Sequence, residues 1–415
     1  MAQNSPVLGI DFGTSNSAAG ILLDGKPHLI EIEPGQQTLP TTFFFDFDTR
    51  QTLIGSSANA ALTDGLEGRF MRALKRVLGT GLMHEKRQIL NERVTFVDII
   101  ARFLNRIKTR AEAQTGLTFE IALSGRPVNF HGPGDTREAQ AEDDLRQCYL
   151  TAGFKNVSFM AEPEAAAIAS GATLGRGLIV DIGGGTSDFS LFETGASGKV
   201  TILANHGIRI GGTDFDRAIN VDTVMPLLGK GTQLRKDIGA GLLTAPNAIF
   251  NDLATWEKIP FLYTAQTRRM ASDMANLAEE PAKLQRLVTV LKDELGHDLA
   301  FAVERGKIDA NKAEVVQAHI SLDMIEHALA APLDALDISR SLAAFSTALY
   351  AGARDTLHMA DCAPGDVGHV IYVGGSSLMS LVPQAMQALL PEAEHSFTEV
   401  FTAVADGLAI AANRP

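Results

Sequence analysis

The sequence predicts an α/β protein of two related lobes, the second carrying a helix-rich insert, and three observations predict it. A strand–turn–strand unit occurs twice, as "VLGIDFGTSNSAAGILLDG" at Val7–Gly25 and "GLIVDIGGGTSDFSLFETG" at Gly177–Gly195. Strand-like apolar runs alternate with helical periodicity along most of the chain. At 415 residues the chain is long for one core, so two lobes are expected.

Each copy of the repeat runs apolar strand, aspartate, glycine turn with Thr or Ser, apolar strand, with Asp11 and Asp181 heading the two turns. Adjacent glycines let something lie against the backbone itself, and amides exposed in such a turn form a concave cradle for an anion. A carboxylate at its edge would repel a bare anion, so it makes sense only with a cation between them. Phosphate with magnesium fits that pattern. The bland alternative is a hairpin or bulge whose glycines serve positive φ. Two copies that agree in length, acid position and hydroxyl position favour one polyphosphate clamped between facing turns.

The other elements follow in order. "RFMRALKRVLG" predicts a helix with Phe70, Leu74, Val77 and Leu78 on one stripe and Arg69, Arg72 and Arg76 opposite, Lys75 at the border. "FEIALSGRPVNF" reads as a strand ending near Pro127, and "TREAQAEDDLRQCYLTAGF" as a helix with an acidic start that closes at Gly153. "AEPEAAAIASG" reads as a helix with proline at its start and Gly171 at its end. From about Phe215 to Ala330 the chain is helix-rich, and Trp256 reads as a core residue of an amphipathic helix there. "HVIYVGGSSLMSLVPQAMQALL" repeats the order strand, glycine turn, helix, with Val382, Met386, Leu389 and Leu390 on the buried face. A last helix carries Phe401, Val404 and Leu408, and the sequence stops at Pro415. The expected division is lobe I over 1–171, lobe II over 172–398 with the insert at about 215–330, and a terminal helix over 399–415 that returns to the lobe interface.

Composition removes several function classes. Hydrophobic content of 45% with mean hydropathy close to zero, and no apolar span of transmembrane length, predict a globular protein without membrane attachment. Two cysteines, Cys148 and Cys362, exclude a disulfide framework and suit a reducing, cytoplasmic setting. A formal charge of −13 argues against broad nucleic-acid binding. The ten histidines show no ligand spacing, "HISLDMIEH" included, and no G-x-x-x-x-G-K-[ST] phosphate loop occurs.

The three glycine turns, in their order and spacing, resemble the ATP-binding superfamily of actin, sugar kinases and the DnaK-type (seventy-kilodalton heat-shock) chaperones. The first two look like its phosphate motifs and "VIYVGGSS" like its adenosine motif. "RALKRVLG" resembles the chaperone branch's catalytic-lysine helix and "AEPEAAAIASG" its strand-to-helix signature. "IRIGGTDFDRAI" and "AVERGKID" resemble its second-lobe loop and its adenosine-lining helix. "NAIFNDLATWEKIPFLYT" looks like the YegD-type group of short DnaK relatives. The resemblance implies the two-lobed actin-like ATPase fold, built from duplicated ribonuclease-H-like domains. It covers only the family's nucleotide-binding half, so a chain lacking the peptide-binding domain is expected.

What the resemblance implies at the site is specific. Lys75, Glu162, Asp181 and Ser15 form the expected catalytic set, and Asp11 and Asp181 orient magnesium through its water shell. Gly13, Thr14, Ser15, Asn16, Gly183, Gly184, Gly185 and Thr186 hold the phosphates of ATP or ADP. Gly211, Gly212, Glu304, Lys307, Asn311, Gly374, Gly375, Ser376 and Leu378 complete the nucleotide contacts. Without the resemblance, Lys75 would read as part of a solvated basic face and Glu162 as a helix cap. Pro127 and Arg146 match positions that relay nucleotide state. Two departures stand out: Leu378 where the family has an arginine over the adenine, and Phe401–Thr402 where it has an acid before the last helix. The expected function is a slow, magnesium-dependent ATPase, chaperone-related and monomeric, with nucleotide-driven lobe closure and protein partners recruited through the insert. A non-hydrolysing nucleotide sensor is the alternative, ahead of an actin-like filament former and a small-molecule kinase.

Overall fold

The structure is a computed structural model that describes residues 6–131, 134–171, 174–236, 240–397 and 402–412. The chain divides into two compact units. The larger holds the described residues up to Arg209 with Tyr350–Leu378 and those from Pro383 on; the smaller holds Ile210–Leu349 and Met379–Val382. The expected division at 171/172 runs within the larger unit, which contains both main sheets.

Those two sheets carry the repeat into three dimensions. In the first, strand order is Asn156–Ala161, Ile121–Arg126, Val7–Asp11, Asn16–Leu23, Lys26–Leu29. In the second it is Glu394–Ser396, Val367–Val373, Gly175–Ile182, Ser187–Thr194, Val200–Ile208. In both, the first three strands are parallel and the last two add antiparallel. Each Asp-headed glycine turn therefore joins the third and fourth strands of an equivalent sheet, and the strand of "VIYVGGSS" takes in the second sheet the place that Ile121–Arg126 takes in the first.

One core packs the first sheet against helices Phe96–Thr115 and Glu138–Thr151, with Ile10, Phe12, Phe43, Phe103 and Tyr149 fully buried. Helix Phe96–Thr115 starts on a reciprocal cap: Thr95 and Asp98 each bond the other's backbone amide. A second core lies between the sheets, where Leu123 meets Ile179, Phe192 and Ile371 through helices Glu162–Ala169 and Ala403–Ala411. The two helices cross closely. A Cβ added to Gly407 would stand 1.8 Å from the Ala165 carbonyl oxygen, and one on Gly9 would stand 2.9 Å from the Ala409 nitrogen.

"RFMRALKRVLG" is not a helix. Gly68–Arg72 is a strand paired with Thr42–Asp46, Phe70 opposite Phe44, and only Leu74–Val77 makes a single 3-10 turn. Ala73, at φ 58, breaks the chain between them. The same apolar residues satisfy a strand period as well as a helical one, and pairing with the Phe43–Phe45 run decides between them.

In the smaller unit, helices Gly212–Ile219, Asn247–Leu253, Ala265–Leu277, Pro281–Lys292 and Gly296–Ala310 dominate, as expected. They are joined by hairpins Gln233–Arg235/Leu242–Thr244 and Ala318–Ser321/Ala330–Leu333. Trp256 opens a 3-10 helix rather than an amphipathic α-helix and is half-buried, its ring against His297 and Phe301 at 4.6 and 5.1 Å. Cys148 and Cys362 are buried and free, and no helix among the described residues is long and apolar enough to cross a membrane.

Candidate functional site

The site is built where the two glycine turns of the larger unit meet. In the first, the Gly13 amide donates to Ser17 Oγ (3.2 Å), which shares a 2.9 Å hydrogen bond with Thr41 Oγ1. The Thr41 amide donates to the Ser15 carbonyl (2.8 Å). Any Cβ at Gly13 would lie 2.0 Å from the Asn16 carbonyl oxygen, so the turn closes only with glycine. In the second turn the Gly183 amide donates to the Thr186 carbonyl (2.9 Å). Its neighbours are the informative ones. A Cβ on Gly184 would stand 2.5 Å from Ser15 Oγ of the first turn, and a Cβ on Gly185 would stand 1.2 Å from Arg76 Nη2. The third turn joins them: Gly374, at φ 78, leaves no room for a side chain, with the Ile182 carbonyl oxygen and Asp181 Oδ1 at 2.5 and 2.8 Å from a Cβ there. Ser377 closes it with its amide and hydroxyl on the Gly374 carbonyl (3.0 and 2.7 Å).

Thr14, Gly183, Gly184 and Gly185 are partly open to solvent, and Ser15, Asn16 and Thr186 are exposed. Gly375 and Ser376 sit in the 3-10 turn Gly375–Leu378, and Leu378 keeps 41% of its surface exposed.

The structure brings Lys75 and Glu162 together. Lys75 Nζ donates to Glu162 Oε1 at 2.6 Å, and the two side chains are only 9% and 14% exposed. Glu162 opens its helix, and Gly125 makes way for it, a Cβ there lying 3.2 Å from Glu162 Cγ. The lysine's 3-10 turn is braced from beneath: buried Asp144 accepts the Gly79 amide (2.8 Å) and meets His84 Nε2 (2.9 Å), while His131 Nε2 lies 2.7 Å from the Leu78 carbonyl.

Three more carboxylates surround this pair. Burial first, then Glu162, raise Asp11 to about 7 against the pull of Lys75. Burial, then Glu162, Asp188 and Asp11, push Asp181 well above the usual carboxylate range. Asp188 rises to about 6 through burial and Glu162, opposed by a Thr186 hydrogen bond and Lys75. Asp11 and Asp181 keep some exposed surface but are enclosed by protein. Burial alone would lower the Lys75 amine; Glu162, Asp11 and Asp181 outweigh it and hold it above its ordinary value. Lys75 is therefore a fixed ammonium beside Asp11, Asp181 and Asp188, which hold their protons to higher pH than free carboxyls do.

Sequence reasoning did not single out Asp188 or Arg76. Asp188 stands opposite Asp181 in the second hairpin's register, which the length of its turn sets. Arg76 was expected on an outward face; the 3-10 turn instead sends its guanidinium to Gly185. Arg146 is part-buried, its guanidinium donating to the Val157 carbonyl (2.7 Å) and stacked on Phe159, and Pro127 accepts from Arg126. Thr402 is buried, its hydroxyl donating to Asp406 Oδ2 (3.3 Å); Phe401 lies outside the described residues. The remaining candidates belong to the smaller unit. Gly211 caps helix Gly212–Ile219, its amide donating to Asp214 Oδ2 (3.0 Å). Glu304 is exposed, Lys307 is buried and paired with Asp216 at 2.8 Å, and Asn311 Oδ1 accepts the Ser380 amide (2.9 Å).

The chain is similar in sequence to known proteins. The profile of the Hsp70 protein family matches residues 7–238, more than half of the chain and both Asp-headed turns. Chaperone protein DnaK of Thermoplasma volcanium is 34% identical over 57% of this chain and 38% of its own length. The DnaK of Endomicrobium trichonymphae is 33% identical over 56% of this chain and 37% of its own. That of Thermoplasma acidophilum is 29% identical over 75% and 51%. The chain thus spans between about a third and a half of the length of these relatives. The chain belongs to the Hsp70 family and has its actin-like ATPase fold.

Proposed function

We propose that the larger unit binds an adenine nucleotide together with magnesium between the two glycine turns and hydrolyses it slowly. The observation that carries this reading is the meeting of the turns, Ser15 against Gly184, beside Lys75 and its surrounding acids. Amides at Gly13–Asn16 and Gly183–Thr186 supply anion donors, with the hydroxyls of Thr14, Ser15 and Thr186 beside them. Gly374, Gly375 and Ser376, next to Asp181, take the adenosine, and Leu378 offers the base an apolar face in place of a guanidinium.

The acids fit a magnesium ion. Oxygen is its preferred donor and it keeps several of its waters, so Asp11 and Asp181 would hold it through its water shell. When bound, the ion neutralises phosphate charge. The protein's own contribution is electrostatic and positional. Lys75 holds its proton at neutral pH and presents positive charge toward the transferred phosphoryl group, while Glu162 fixes where that charge sits. Ser15 and Asp181 stand at the edges of the turns they belong to and orient what the turns hold.

A chaperone-related role in the cytoplasm extends this reading on family membership. It includes nucleotide-driven closure of lobes drawn at 1–171 and 172–398, a monomeric state, and protein partners at the helical insert. Nucleotide sensing without useful turnover is a second reading, favoured by Thr402, a neutral buried residue where the family resemblance calls for an acid. Calorimetric titration with ATP, ADP and GTP, with and without magnesium, tests the proposal. Adenine nucleotides should bind more tightly with the ion present, and binding of none of them would overturn it.

A further inference from the structure

The turn that carries Lys75 is too short to hold itself. Leu74–Val77 is one 3-10 turn, entered from Ala73 at φ 58 and left through Gly79 at φ 77. A single turn makes few hydrogen bonds of its own, so the place of Lys75 depends on what grips the chain around it. Glu162 grips the amine (2.6 Å). The backbone needs a second grip.

That grip comes from a buried acid. Asp144 lies in the middle of helix Glu138–Thr151 and is 1% exposed. Its Oδ2 accepts the Gly79 amide (2.8 Å), while its Oδ1 accepts from Gln140 Nε2 (2.7 Å) and lies 2.9 Å from His84 Nε2. Three segments thus meet on one carboxyl: the exit of the Lys75 turn, the 3-10 turn Gly81–His84 and the helix itself. The exit is tight. Thr80 closes on the Val77 carbonyl with its amide and hydroxyl (3.1 and 2.7 Å), and a Cβ on Gly79 would stand 2.8 Å from the Arg137 carbonyl oxygen. Burying a carboxyl is costly unless its oxygens are matched by donors, and packing alone would be served by a leucine. What a leucine cannot supply is an acceptor for Gly79, four positions beyond Lys75.

Resting on the nucleotide reading above, we propose that Asp144 is a positioning residue for the hydrolysis step, acting through the Gly79 amide to set where the Lys75 ammonium stands. Glu162 fixes the tip of the lysine and Asp144 the backbone it springs from, so the charge is held at two points. Without the second point the turn settles differently between Ala73 and Gly79, and the ammonium leaves the place where it meets the transferred phosphoryl group. Nucleotide binding rests on the glycine turns, which Asp144 does not touch. Rate should therefore suffer where affinity does not.

The test measures single-turnover, magnesium-dependent ATP hydrolysis, ADP affinity and hydrogen exchange of the Gly79 amide in the full chain. Asp144→Leu fills the space without an acceptor, and Asp144→Ala takes its place if that variant does not fold. Hydrolysis should fall roughly ten- to a hundredfold, the scale of a displacement of up to about 1 Å. ADP affinity should stay within about twofold, and Gly79 exchange should quicken. Asp144→Asn should recover most of the rate, because its carbonyl still accepts the Gly79 amide and the exposed Gln140 amide can turn to meet its nitrogen. Added to Lys75→Ala, Asp144→Leu should slow hydrolysis no further, since its effect runs through that lysine. Hydrolysis by Asp144→Leu within about twofold of wild type, a full further loss in the Lys75→Ala background, or unchanged Gly79 exchange would each overturn the inference and leave the nucleotide reading standing. A wild-type chain that binds ADP without hydrolysing ATP would overturn the inference and leave binding intact. One that binds no nucleotide would overturn both.

Discussion

Raising the pH of the nucleotide-free protein from 5 to 8 should destabilise the larger unit, and the Asp11 carboxyl alone accounts for about 3 kcal/mol of the loss. Unfolded, this group gives up its proton near its ordinary value of 3.8; folded, it holds the proton to about 7, because burial and Glu162 outweigh Lys75. Between those values the unfolded chain binds fewer protons than the folded one, so stability falls as pH rises. The favourable contribution is complete below about 4 and is lost as pH passes through about 7, at about 1.4 kcal/mol per pH unit. Asp188, raised to about 6, acts in the same direction. Urea unfolding at each pH, followed by circular dichroism with amide exchange in Val7–Asp11 to assign the transition, measures the slope. Magnesium favours the ionised acids, so it should restore stability at pH 8 and do little at pH 5. Asp11→Asn should reduce the slope, leaving the part that Asp181 and Asp188 contribute. A wild-type protein equally stable or more stable at pH 8, or an Asp11→Asn slope equal to wild type, would refute the account of these acids.

Two further outcomes follow from the same geometry. Lys75→Ala should lower single-turnover ATP hydrolysis by about 10²–10³ while leaving nucleotide affinity within a few-fold; unaltered hydrolysis would move the function to sensing. Gly407→Ala places a methyl 1.8 Å from the Ala165 carbonyl, so helix Ala403–Ala411 must shift, at a cost of roughly 1–3 kcal/mol. A thermal midpoint unchanged from wild type would show that these two helices are not packed as described.

The repeat was the most legible part of the sequence because it is written in residue types that only a tight turn requires. Asp11 and Asp181 with their glycines foretold two hairpins, and the hairpins sit in sheets of the same strand order. The segment around Lys75 was the least legible. Phe70, Leu74, Val77 and Leu78 fit a helical stripe, but their structure is decided by the Thr42–Asp46 strand that Gly68–Arg72 pairs with, a partner more than twenty positions away in sequence. Lys75 and Glu162 were found through family resemblance, since a basic run and a helix-starting acid carry no sign of the 2.6 Å bond that joins them. Arg76 and Asp188 were both in view. One was hidden by the wrong local structure, the other by its place in a hairpin register that becomes meaningful only when Asp181 is opposite.

The glycines were read as room for a ligand against the backbone; what the structure places there is the protein's own groups. At Gly184 it is the hydroxyl of Ser15 from the other turn; at Gly185 it is a guanidinium from the Lys75 turn; at Gly183 the nearest atom is the Thr186 carbonyl at 3.7 Å. The protein thus lays its own donor groups on the cradle before any anion arrives, which is how a preorganised site differs from a flexible one. The acids point the same way. Burial first, and then the neighbouring carboxylates, make Asp11 and Asp181 hold their protons to higher pH than a free carboxyl does, Asp11 to about 7. A site that stores protons in this way is poised to exchange them for a metal cation. That exchange, rather than any one contact, ties the aspartates of the repeat to the glycines beside them.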